Sequence, residues 1–475
     1  MSRIRVVILG AGPAGLAAAF RLARRGLAWV TVLEESDRVG GNAGSFELAG
    51  LSVDYGSHRL HPACDREVLG EIRDLLGDDL LDRPRRGRIR LRGRWIGFPL
   101  KPLDLALRLP PGLVFGAGRD LALKLLRCRN APSDGKSFAS VLESGLGPTI
   151  CREFYFPYAR KLWGLEPEEI SERQARRRVS TASFGTVALR LLSAVPALGL
   201  RRRGHFFYPR QGFGQIPRAY LEAAKGCGVE VRLNARVKSV EIEKGAVASV
   251  RVSQDGETQS IPADLVWSTI PITSLARCIN PELPAECTRA AESISFRAMI
   301  LVYLVLRQDR FSPFDAHYFP EPAIPLSRLS EPKNYGGGSD TGGSTVLCAE
   351  LPCATDGPYW DKSDAELAEL TCTALEAAGL PVRAPIQEVV TRRLRHAYPI
   401  YRRGYESHFD RLDRELCQID GLLTFGRQGL FVHDNTHHAL FMAYSAVACL
   451  GEDGRFDKER WQEYRQAFES HVVED

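Results

Sequence analysis

Three glycines near the amino terminus have the spacing that lets a backbone hold a phosphate group. Gly10, Gly12 and Gly15 form a G-x-G-x-x-G run directly after a short β-branched stretch, residues 5–9, that is predicted to be a buried strand. The first glycine allows a tight bend and the second lets backbone N–H groups approach a pyrophosphate. The third lets the next helix lie against the sheet. This pattern predicts a dinucleotide site.

The elements that must position this turn follow it in the expected order. Pro13 suits a first helical turn, where its missing N–H is not needed, and Ala14 begins the predicted helix 14–25. The positive N-terminal end of that helix would face the phosphates. A second predicted strand, residues 29–33, ends at Glu34, whose carboxylate can accept hydrogen bonds from both ribose hydroxyls. An acid there disfavours a 2′-phosphate.

The residues that follow this acid carry a family resemblance. The run EESDRVGG, which ends at Gly41, resembles the extended FAD fingerprint of the glutathione-reductase-like flavoproteins. The resemblance is to the branch that holds amine oxidases, protoporphyrinogen oxidases, phytoene desaturases and UDP-galactopyranose mutases. It implies FAD as the cofactor, with Glu35, Gly41 and Asn42 among the residues that hold it. No cysteine matches the covalent flavin linkage of some relatives, so the FAD is expected to be noncovalent.

The resemblance covers nearly the whole chain and implies its fold class. That class is α/β, with a discontinuous Rossmann-like FAD domain of the glutathione reductase type formed by residues 1–90, 205–290 and 415–455. An inserted α+β substrate domain with a helical insertion would comprise residues 91–204 and 291–414.

Two histidines and an arginine lie close together within the first part of the predicted FAD domain. The segment DYGSHRLH, residues 54–61, resembles the segment that lies beside the flavin in this branch, and its G-x-H-x-x-H form is closest to the mutases. His58, Arg59 and His61 are therefore candidate catalytic residues, and His58 is also a candidate flavin neighbour. The alternative is that the two histidines share one face and make ordinary hydrogen bonds.

Later segments would complete the cofactor site. The segment around Val237 resembles the family strand that presents a valine backbone to the adenine. The segment that begins at Gly426 resembles the closing turn and helix of the family, with the helix predicted here at 438–450. The helix dipole would stabilise negative charge on the flavin pyrimidine ring. The candidate cofactor residues in these segments are Val237, Gly426, Arg427, Asn435, Thr436 and Ala439.

Aromatic residues are the main candidates for the substrate side. Trp163 lies in the motif Y-x-x-K-x-W-G-x-x-P-x-E-I, which resembles a motif of the mutases and protoporphyrinogen-oxidase-like proteins, so it is a candidate stacking platform. Tyr398 and Tyr401 lie in a segment that resembles the one placing aromatic residues over the flavin. A position in the core is the alternative for all three. Arg328 is a candidate substrate ligand.

A histidine group near the carboxyl terminus has two interpretations. His433 is a candidate catalytic base, whereas His433, His437 and His438 together could simply form a helix-cap cluster. We predict no metal, because no further carboxylate or thiol ligand was identified nearby in the sequence.

Composition sets the outer limits. The chain has 475 residues, 44% of them hydrophobic, and a net charge of +5 that gives no reason to expect a nucleic acid partner. The eleven cysteines are scattered and no secretory leader is recognised, which predicts reduced thiols and a cytoplasmic location. An apolar run, residues 182–200, is surrounded by arginines that indicate either a phosphate or peripheral membrane contact or a solvated basic face. They are arginines 173, 176, 177, 178, 190, 201, 202 and 203.

Two reactions on a small-molecule substrate fit these residues. In the first, a C–H bond gives hydride to the flavin while His58, His61 or His433 takes a proton, as in an oxidase, dehydrogenase or desaturase. In the second, a nucleotide sugar is rearranged without net redox, as in the mutases, and arginines 59, 328 and 427 hold its diphosphate. The family's amine oxidases keep a lysine where this chain has Arg297 and Met299, which argues against a simple amine as substrate. A flavin-stabilised binding protein without activity is the third interpretation.

Overall fold

The computed structural model describes residues 3–100, 104, 107–126, 137–178, 204–336 and 342–473. In these ranges the strands are β1 (Ile4–Leu9), β2 (Ala28–Leu33), β3 (Ser45–Leu48), β4 (Leu51–Asp54), β5 (Leu80–Pro84), β6 (Gly87–Leu91), β7 (Arg94–Phe98), β8 (His205–Pro209), β9 (Glu230–Arg232), β10 (Arg236–Glu243), β11 (Ala246–Gln254), β12 (Glu257–Pro262), β13 (Leu265–Ser268), β14 (Ile279–Asn280), β15 (Ser295–Leu306), β16 (Ala316–Tyr318), β17 (Arg328–Ser330), β18 (Thr345–Cys353), β19 (Ile386–Ile400) and β20 (Leu422–Thr424). The helices are α1 (Pro13–Arg24), α2 (Arg66–Leu76), α3 (Pro111–Leu126), α4 (Phe138–Leu146), α5 (Pro148–Ile150), α6 (Phe156–Trp163), α7 (Glu172–Arg178), α8 (Gln215–Gly226), α9 (Ile272–Cys278), α10 (Ala285–Ser293), α11 (Asp364–Ala377), α12 (Tyr405–Cys417), α13 (Gly426–Gly429), α14 (Thr436–Ala448) and α15 (Lys458–Phe468).

A five-stranded parallel sheet holds the glycine turn. Its strand order is β20-β13-β1-β2-β9. Along β1, Val6 and Ile8 pack into the core that includes α1 and α14, whereas Val7 and Leu9 pack into a second core on the other face. Because both faces are covered, the strand is an uninterrupted apolar run rather than an alternating one. The predicted α/β class is confirmed.

A seven-stranded sheet forms the other large layer. Its order is β19-β15-β18-β17-β16-β6-β7, and its pairings are antiparallel except that between β16 and β6. One face of β15 packs in the core that contains residues of α11. The other face carries Met299, Leu301 and Tyr303, which pack against Val53 and Tyr55. The end of β4 and the start of the segment that follows it therefore pack on the seven-stranded sheet.

Several local predictions can be compared with these bounds. The predicted hairpin turn at Gly93 is confirmed, with Arg92 and Gly93 both at positive φ (49° and 75°) as a two-residue hairpin turn requires. The helix predicted over 65–81 ends earlier, at Leu76, because Gly77 leaves helical geometry at φ 53° and the next residues pair as β5 with β8. The closing helix begins two residues before the predicted start, at Thr436.

Two predictions are left open. The seven-stranded sheet begins at Gly87, close to the predicted boundary at residue 90, but the domain boundaries stay a prediction. The run 182–200, with arginines 190 and 201 to 203, lies outside the described residues. Within the described ranges we find no helix with the length and apolar character needed to cross a membrane.

Candidate functional site

The glycine turn leaves open space for a ligand at one position and is sterically locked at another. A Cβ on Gly15 would overlap the carbonyl oxygen of Gly10, so α1 can lie this close to β1 only with glycine. A Cβ on Gly12, in contrast, would meet no atom within 4 Å. Gly12 is also the N-cap of α1 and has no side chain to satisfy the first helical N–H groups, with Pro13 following it. The turn therefore fits an anionic group.

A second glycine pair closes over the first turn. The Gly40 N–H donates to the carbonyl oxygen of Ala11 at 2.8 Å, and a Cβ on Gly41 would come within 3.7 Å of the Gly12 Cα. A side chain at Gly41 would enter the space beside the turn, whereas a Cβ on Gly40 would meet Gly44 at 3.0 Å and Pro217 at 3.1 Å. The predicted residues Gly10, Gly12, Pro13, Ala14, Gly15 and Gly41 are thus brought together.

The acid at the end of β2 points at the same turn. Glu34 Oε2 accepts from the Ala11 N–H at 2.8 Å, and its Oε1 accepts from the N–H and hydroxyl of Ser36 at 3.0 and 2.6 Å. The neighbouring Glu35 is exposed and forms an ion pair with Arg236 at 3.4 Å. This pair connects Glu35 to the start of β10, where Val237 is partly buried. The predicted adenine end of the site is therefore one contiguous region.

The carboxyl-terminal turn packs directly on the glycine turn. Gly426 is at φ 80°, and a Cβ there would approach the Cβ of Ala14 at 3.1 Å. Asn435 is the N-cap of α14, and its N–H donates to His438 Nδ1 at 3.2 Å. Thr436 begins that helix, and Ala439 packs in the same core as Ala14. The helix end therefore lies next to the glycine turn, and its contact with the cofactor stays a prediction.

Three side chains from the cofactor segments hold the end of β19. Asn42 Nδ2 and Gln428 Nε2 donate to the carbonyl oxygen of His396 at 3.0 and 2.7 Å. Arg427 donates to the carbonyl oxygens of Ala397 at 2.7 Å and Asp434 at 3.1 Å. These bonds fix the aromatic segment that begins at Ala397 against the site.

An aromatic group continues from this anchor. The Tyr398 ring is stacked on the His433 ring at 4.9 Å, with Arg427 5.4 Å from the Tyr398 centroid. His433 in turn meets the edge of Trp163 at 6.4 Å, and its Nδ1 lies 3.4 Å from Gln174 Nε2. Trp163 is only 4% exposed and belongs to the core formed with α4 and α6, so its predicted stacking role remains a prediction.

Tyr401 lies in the core behind the loop that carries His433. Its ring is 2% exposed and stacks on Tyr405 at 4.5 Å, and its hydroxyl accepts from the His433 N–H at 3.1 Å. Burial raises the pKa of Tyr401 to about 12. The side chain packs with Tyr405 and Phe431 in the core behind the loop, and it also lines a small cavity with Arg173 and Arg177. Its hydroxyl supports the His433 backbone, and its predicted place in the substrate pocket stays a prediction.

His58 is held in a defined tautomer. Its Nε2 lies 3.0 Å from the carbonyl oxygen of Tyr55, and because a carbonyl can only accept, this nitrogen carries the proton of the neutral ring. The ring is stacked on Phe213 at 5.2 Å. Burial, to which the charge of Arg328 adds, lowers the pKa of His58 below its ordinary value. The ring is therefore neutral near pH 7, with Nδ1 as its basic atom.

A carboxylate from the other sheet positions the His58 loop. Glu350 Oε1 accepts from the Ser57 N–H at 2.8 Å and from Arg328 Nε at 2.9 Å. Glu350 is 3% exposed, so this carboxylate is compensated by its ion pair with Arg328. The predicted substrate ligand Arg328 is thus engaged within the protein.

Arg59 and His61 take different positions. Arg59 forms an ion pair with Asp315 at 3.3 Å and lies 5.1 Å from the Phe206 ring. His61 Nδ1 accepts from the Ala63 N–H at 3.1 Å, the ordinary loop hydrogen bond given as the alternative to a catalytic role.

Sequence reasoning missed several residues that shape the site. Ser57 and Glu350, or Arg59 and Asp315, lie more than two hundred residues apart, so no local pattern pairs them. Their only sequence signal is the type of residue: an isolated acid in an apolar strand needs a buried cation or N–H group. The missed residues are Asp315, Glu350, Gln174 and Gln428.

One group of potential metal ligands lies beside the helix end. Asp434, His438 and His471 bring ligand atoms within 4.8 Å of one another. No carboxylate ligand near these histidines was identified from the sequence, and Asp434 is such a carboxylate. Both of its oxygens are occupied, Oδ1 by Arg177 at 2.6 Å and Oδ2 by His471 Nδ1 at 2.8 Å. The nearby guanidinium disfavours a cation, and we assign no metal to the described residues.

Comparisons with known proteins agree on one family. The model of the flavin-containing amine oxidoreductase family matches residues 13–439. AofH of Mycobacterium tuberculosis, which is named as a flavin-containing monoamine oxidase, is 28% identical over 298 residues, 61% of this chain and 62% of the relative. The chain therefore matches less than two thirds of that relative's length.

Solved structures show the same fold over most of the chain. A reduced UDP-galactopyranose mutase superposes with a TM-score of 0.80 at 19% identity, covering 99% of this chain and all of the other. Putrescine oxidase bound to putrescine gives 0.64 at 18% identity, covering 94% and 98%. At these identities the likeness shows the fold alone.

Proposed function

Because the chain belongs to the flavin-containing amine oxidoreductase family, we propose that it is an FAD-dependent oxidoreductase that takes hydride from a small organic substrate. When bound, the flavin accepts the hydride at N5. The chain's own residues bind the cofactor, orient the substrate and remove the accompanying proton.

FAD, rather than a shorter flavin, is supported by the adenine end of the site. The carboxylate of Glu34 lies next to the glycine turn and adjoins the Val237 strand, which is the arrangement that a bound ribose and adenine require. None of the ten described cysteines lies in the glycine turn, the turn at residues 40–42 or the segment 426–439, so we propose noncovalent binding. These cysteines are unpaired, which fits the proposed location in the cytoplasm.

The observation that carries the proposed reaction is the environment of His58. The Tyr55 carbonyl fixes its proton on Nε2, and its lowered pKa keeps Nδ1 unprotonated near neutral pH. The ring belongs to the segment that in relatives lies beside the flavin. A neutral, oriented imidazole is suited to accept the proton released with the hydride. His433, stacked on Tyr398, is the second candidate base.

A simple amine is a poor candidate for the substrate. Arg297 occupies the strand start where the family's amine oxidases carry lysine, and its guanidinium donates to the carbonyl oxygens of Lys161 and Pro352, both at 3.4 Å. The side chain is held in the wall of the substrate layer. We therefore expect oxidation at a carbon without an adjacent amine.

The mutase reaction is the second candidate, and it is favoured by the G-x-H-x-x-H form of residues 54–61, which is closest to the mutases. Its weakness is electrostatic. Arg59 is paired with Asp315, Arg328 is paired with Glu350, and Arg427 donates to backbone carbonyls. Arginines already compensated in this way attract a diphosphate less strongly than free ones.

Flavin reduction tests the proposal directly. Polyenes, porphyrinogens and nucleotide sugars are added without oxygen to the purified yellow protein, and bleaching of the flavin absorbance identifies a substrate that gives hydride. The variant H58N should retain flavin but be reduced roughly 10²- to 10⁴-fold more slowly. H205N, at an exposed histidine, is the matched control.

Each outcome decides between the candidates. Reduction of H58N at the wild-type rate would remove His58 from the mechanism. Turnover of a nucleotide sugar that needs prior reduction of the enzyme and consumes no oxidant would establish the mutase reaction instead.

A further inference from the structure

The strand β19 leaves one edge of the seven-stranded sheet open. It stands at the end of the strand order and pairs with β15 on one side only. Apart from that pairing, the backbone of residues 387–395 forms no hydrogen bond with other backbone groups in the described part of the chain. With 15 residues, β19 is also far longer than the end strands β7, β9, β12, β14 and β20, which have two to six. A long open edge is a template for a further strand.

The pairing with β15 shows which backbone groups of β19 face the open edge. Just beyond β15, the Arg307 N–H donates at 3.0 Å to the carbonyl oxygen of the residue before β19. Alternate residues of β15 therefore bond to β19, and Tyr303, which is paired with Val390, is one of them. The neighbours of Val390 on β19 turn their N–H and C=O groups to the open edge. One neighbour is Thr391, whose carbonyl oxygen accepts from Arg392 Nη1 at 3.1 Å instead of from a further strand.

Two charged side chains on this edge form no ion pair with the described residues. Glu388 is exposed and Arg392 is partly exposed. They share one face of the strand four residues apart, so about 13 Å separates them and they cannot pair with each other. The next two arginines are turned onto the opposite face, where Arg393 Nε donates to the Trp360 carbonyl oxygen at 2.7 Å and Arg395 lies 5.2 Å from the Trp360 ring. The edge therefore carries one acid and one base that lack counter-charges.

A second copy of the chain supplies both counter-charges. Two identical edges pair in antiparallel fashion about a two-fold axis perpendicular to the sheet, which sets each residue opposite the one equally far beyond the axis. With the axis at Val390, Glu388 of each copy lies opposite Arg392 of the other, on the same face. Among axes at positions 388 to 392, this one alone sets the acid against an arginine, and those at 388 and 392 oppose like charges.

We propose that the chain forms a symmetric dimer in which β19 pairs with β19 of a second copy about Val390, so that the two seven-stranded sheets become one. Val389 and Thr391 then exchange N–H···O bonds across the axis, because both face the open edge. The Arg392 guanidinium moves from the Thr391 carbonyl oxygen to Glu388 of the other copy. An extended segment of another protein could pair with the same backbone, but it would have to bring both charges at the same spacing.

The molar mass of the flavin-loaded full chain tests this proposal. Size-exclusion chromatography with light scattering, repeated over a range of protein concentrations, should show a dimer. E388R and R392E each create two like-charge pairs across the axis and should weaken dimerisation by at least roughly tenfold. An equimolar mixture of the two variants should dimerise again, because every charge in the mixed dimer meets an opposite one. Retained flavin absorbance shows that each variant is folded.

Glu257 supplies the matched control, because it is an exposed acid on β12, an end strand of another sheet. E257R should dimerise as wild type. V389P removes an N–H that faces the open edge and not β15, so it should abolish the dimer while flavin stays bound. A wild-type protein that is monomeric at every concentration would overturn the proposal. So would a dimer that E388R leaves unchanged, or a mixture of E388R and R392E that stays monomeric.

Discussion

Arg177 and Asp434 form a buried ion pair, 2.6 Å between Nη1 and Oδ1, immediately before the helix end that closes the cofactor site. The two residues are 4% and 0% exposed. Burial opposes ionisation of Asp434, but the hydrogen bond from His471 and the charge of Arg177 hold the pKa of this carboxyl below its ordinary value. Arg177 also accepts from the Val473 N–H at 2.9 Å through its carbonyl oxygen. The pair therefore connects α7, the start of α14 and the end of the described chain.

Removing the arginine should destabilise the protein strongly. R177M leaves the Asp434 carboxylate buried without its main counter-charge, and we expect a loss of roughly 3–5 kcal/mol in the free energy of unfolding. Denaturant unfolding of the purified variant measures it. The control is R176M on the same helix, where a side chain of 67% exposure pairs with Glu172 and should change stability by less than about 0.5 kcal/mol. Equal losses in the two variants would contradict the prediction.

Neither interpretation of the arginine-rich segment anticipated this pair. Charge runs are usually solvated, and the sequence alone does not reveal that residue 177 reaches an acid 257 positions later. The glycine turn was predictable because its requirement is local: Gly15 must lack a Cβ whatever surrounds the sheet. The start of α14 could also have been found, since Asn435 is a favourable N-cap residue. The roles of the Asp315 and Glu350 carboxylates could not be predicted from the sequence, because they depend on pairing with residues far away in the chain.

The two turn glycines should separate folding from cofactor binding. G15A introduces a methyl group against the Gly10 carbonyl, so it should destabilise the apoprotein and prevent flavin retention. G12A meets no protein atom within 4 Å, so the apoprotein should keep its stability while the methyl group occupies space needed by the phosphates. Thermal unfolding with and without FAD, together with flavin content, measures both effects. A G12A protein that retains flavin as wild type would show that the pyrophosphate lies elsewhere.

A buried histidine in the substrate layer should make the protein sensitive to acid. Burial, with the charge of nearby Arg88, lowers the pKa of His317 to about 3. Between about pH 6.5 and 3 the unfolded chain therefore binds a proton that the native state does not, and stability falls by roughly 1.4 kcal/mol per pH unit as the pH drops.

H317L should remove that part of the slope. Between pH 7 and pH 4.5, wild type should lose on the order of 2–3 kcal/mol more of its free energy of unfolding than H317L does. Urea unfolding across this range measures it, and comparing slopes cancels any change in baseline stability. H205Q, at a histidine with 43% side-chain exposure, should leave the slope unchanged. Parallel curves for H317L and wild type would mean that His317 is protonated in the native state.

The two tyrosines of the aromatic segment should respond differently to the same chemical change. Y401F removes the hydroxyl that accepts from the buried His433 N–H, which should cost about 1–3 kcal/mol of stability and leave the flavin spectrum in place. Y398F alters a partly exposed ring stacked on His433 beside the cofactor segments, so it should shift the flavin spectrum or slow reduction with a smaller stability loss. Unfolding curves and visible spectra of the two variants, measured together, provide each other's control. If Y401F changes the flavin spectrum and Y398F does not, Tyr401 rather than Tyr398 faces the cofactor. The structure's placement of Tyr401 in the core and of Tyr398 beside the cofactor segments would then be wrong.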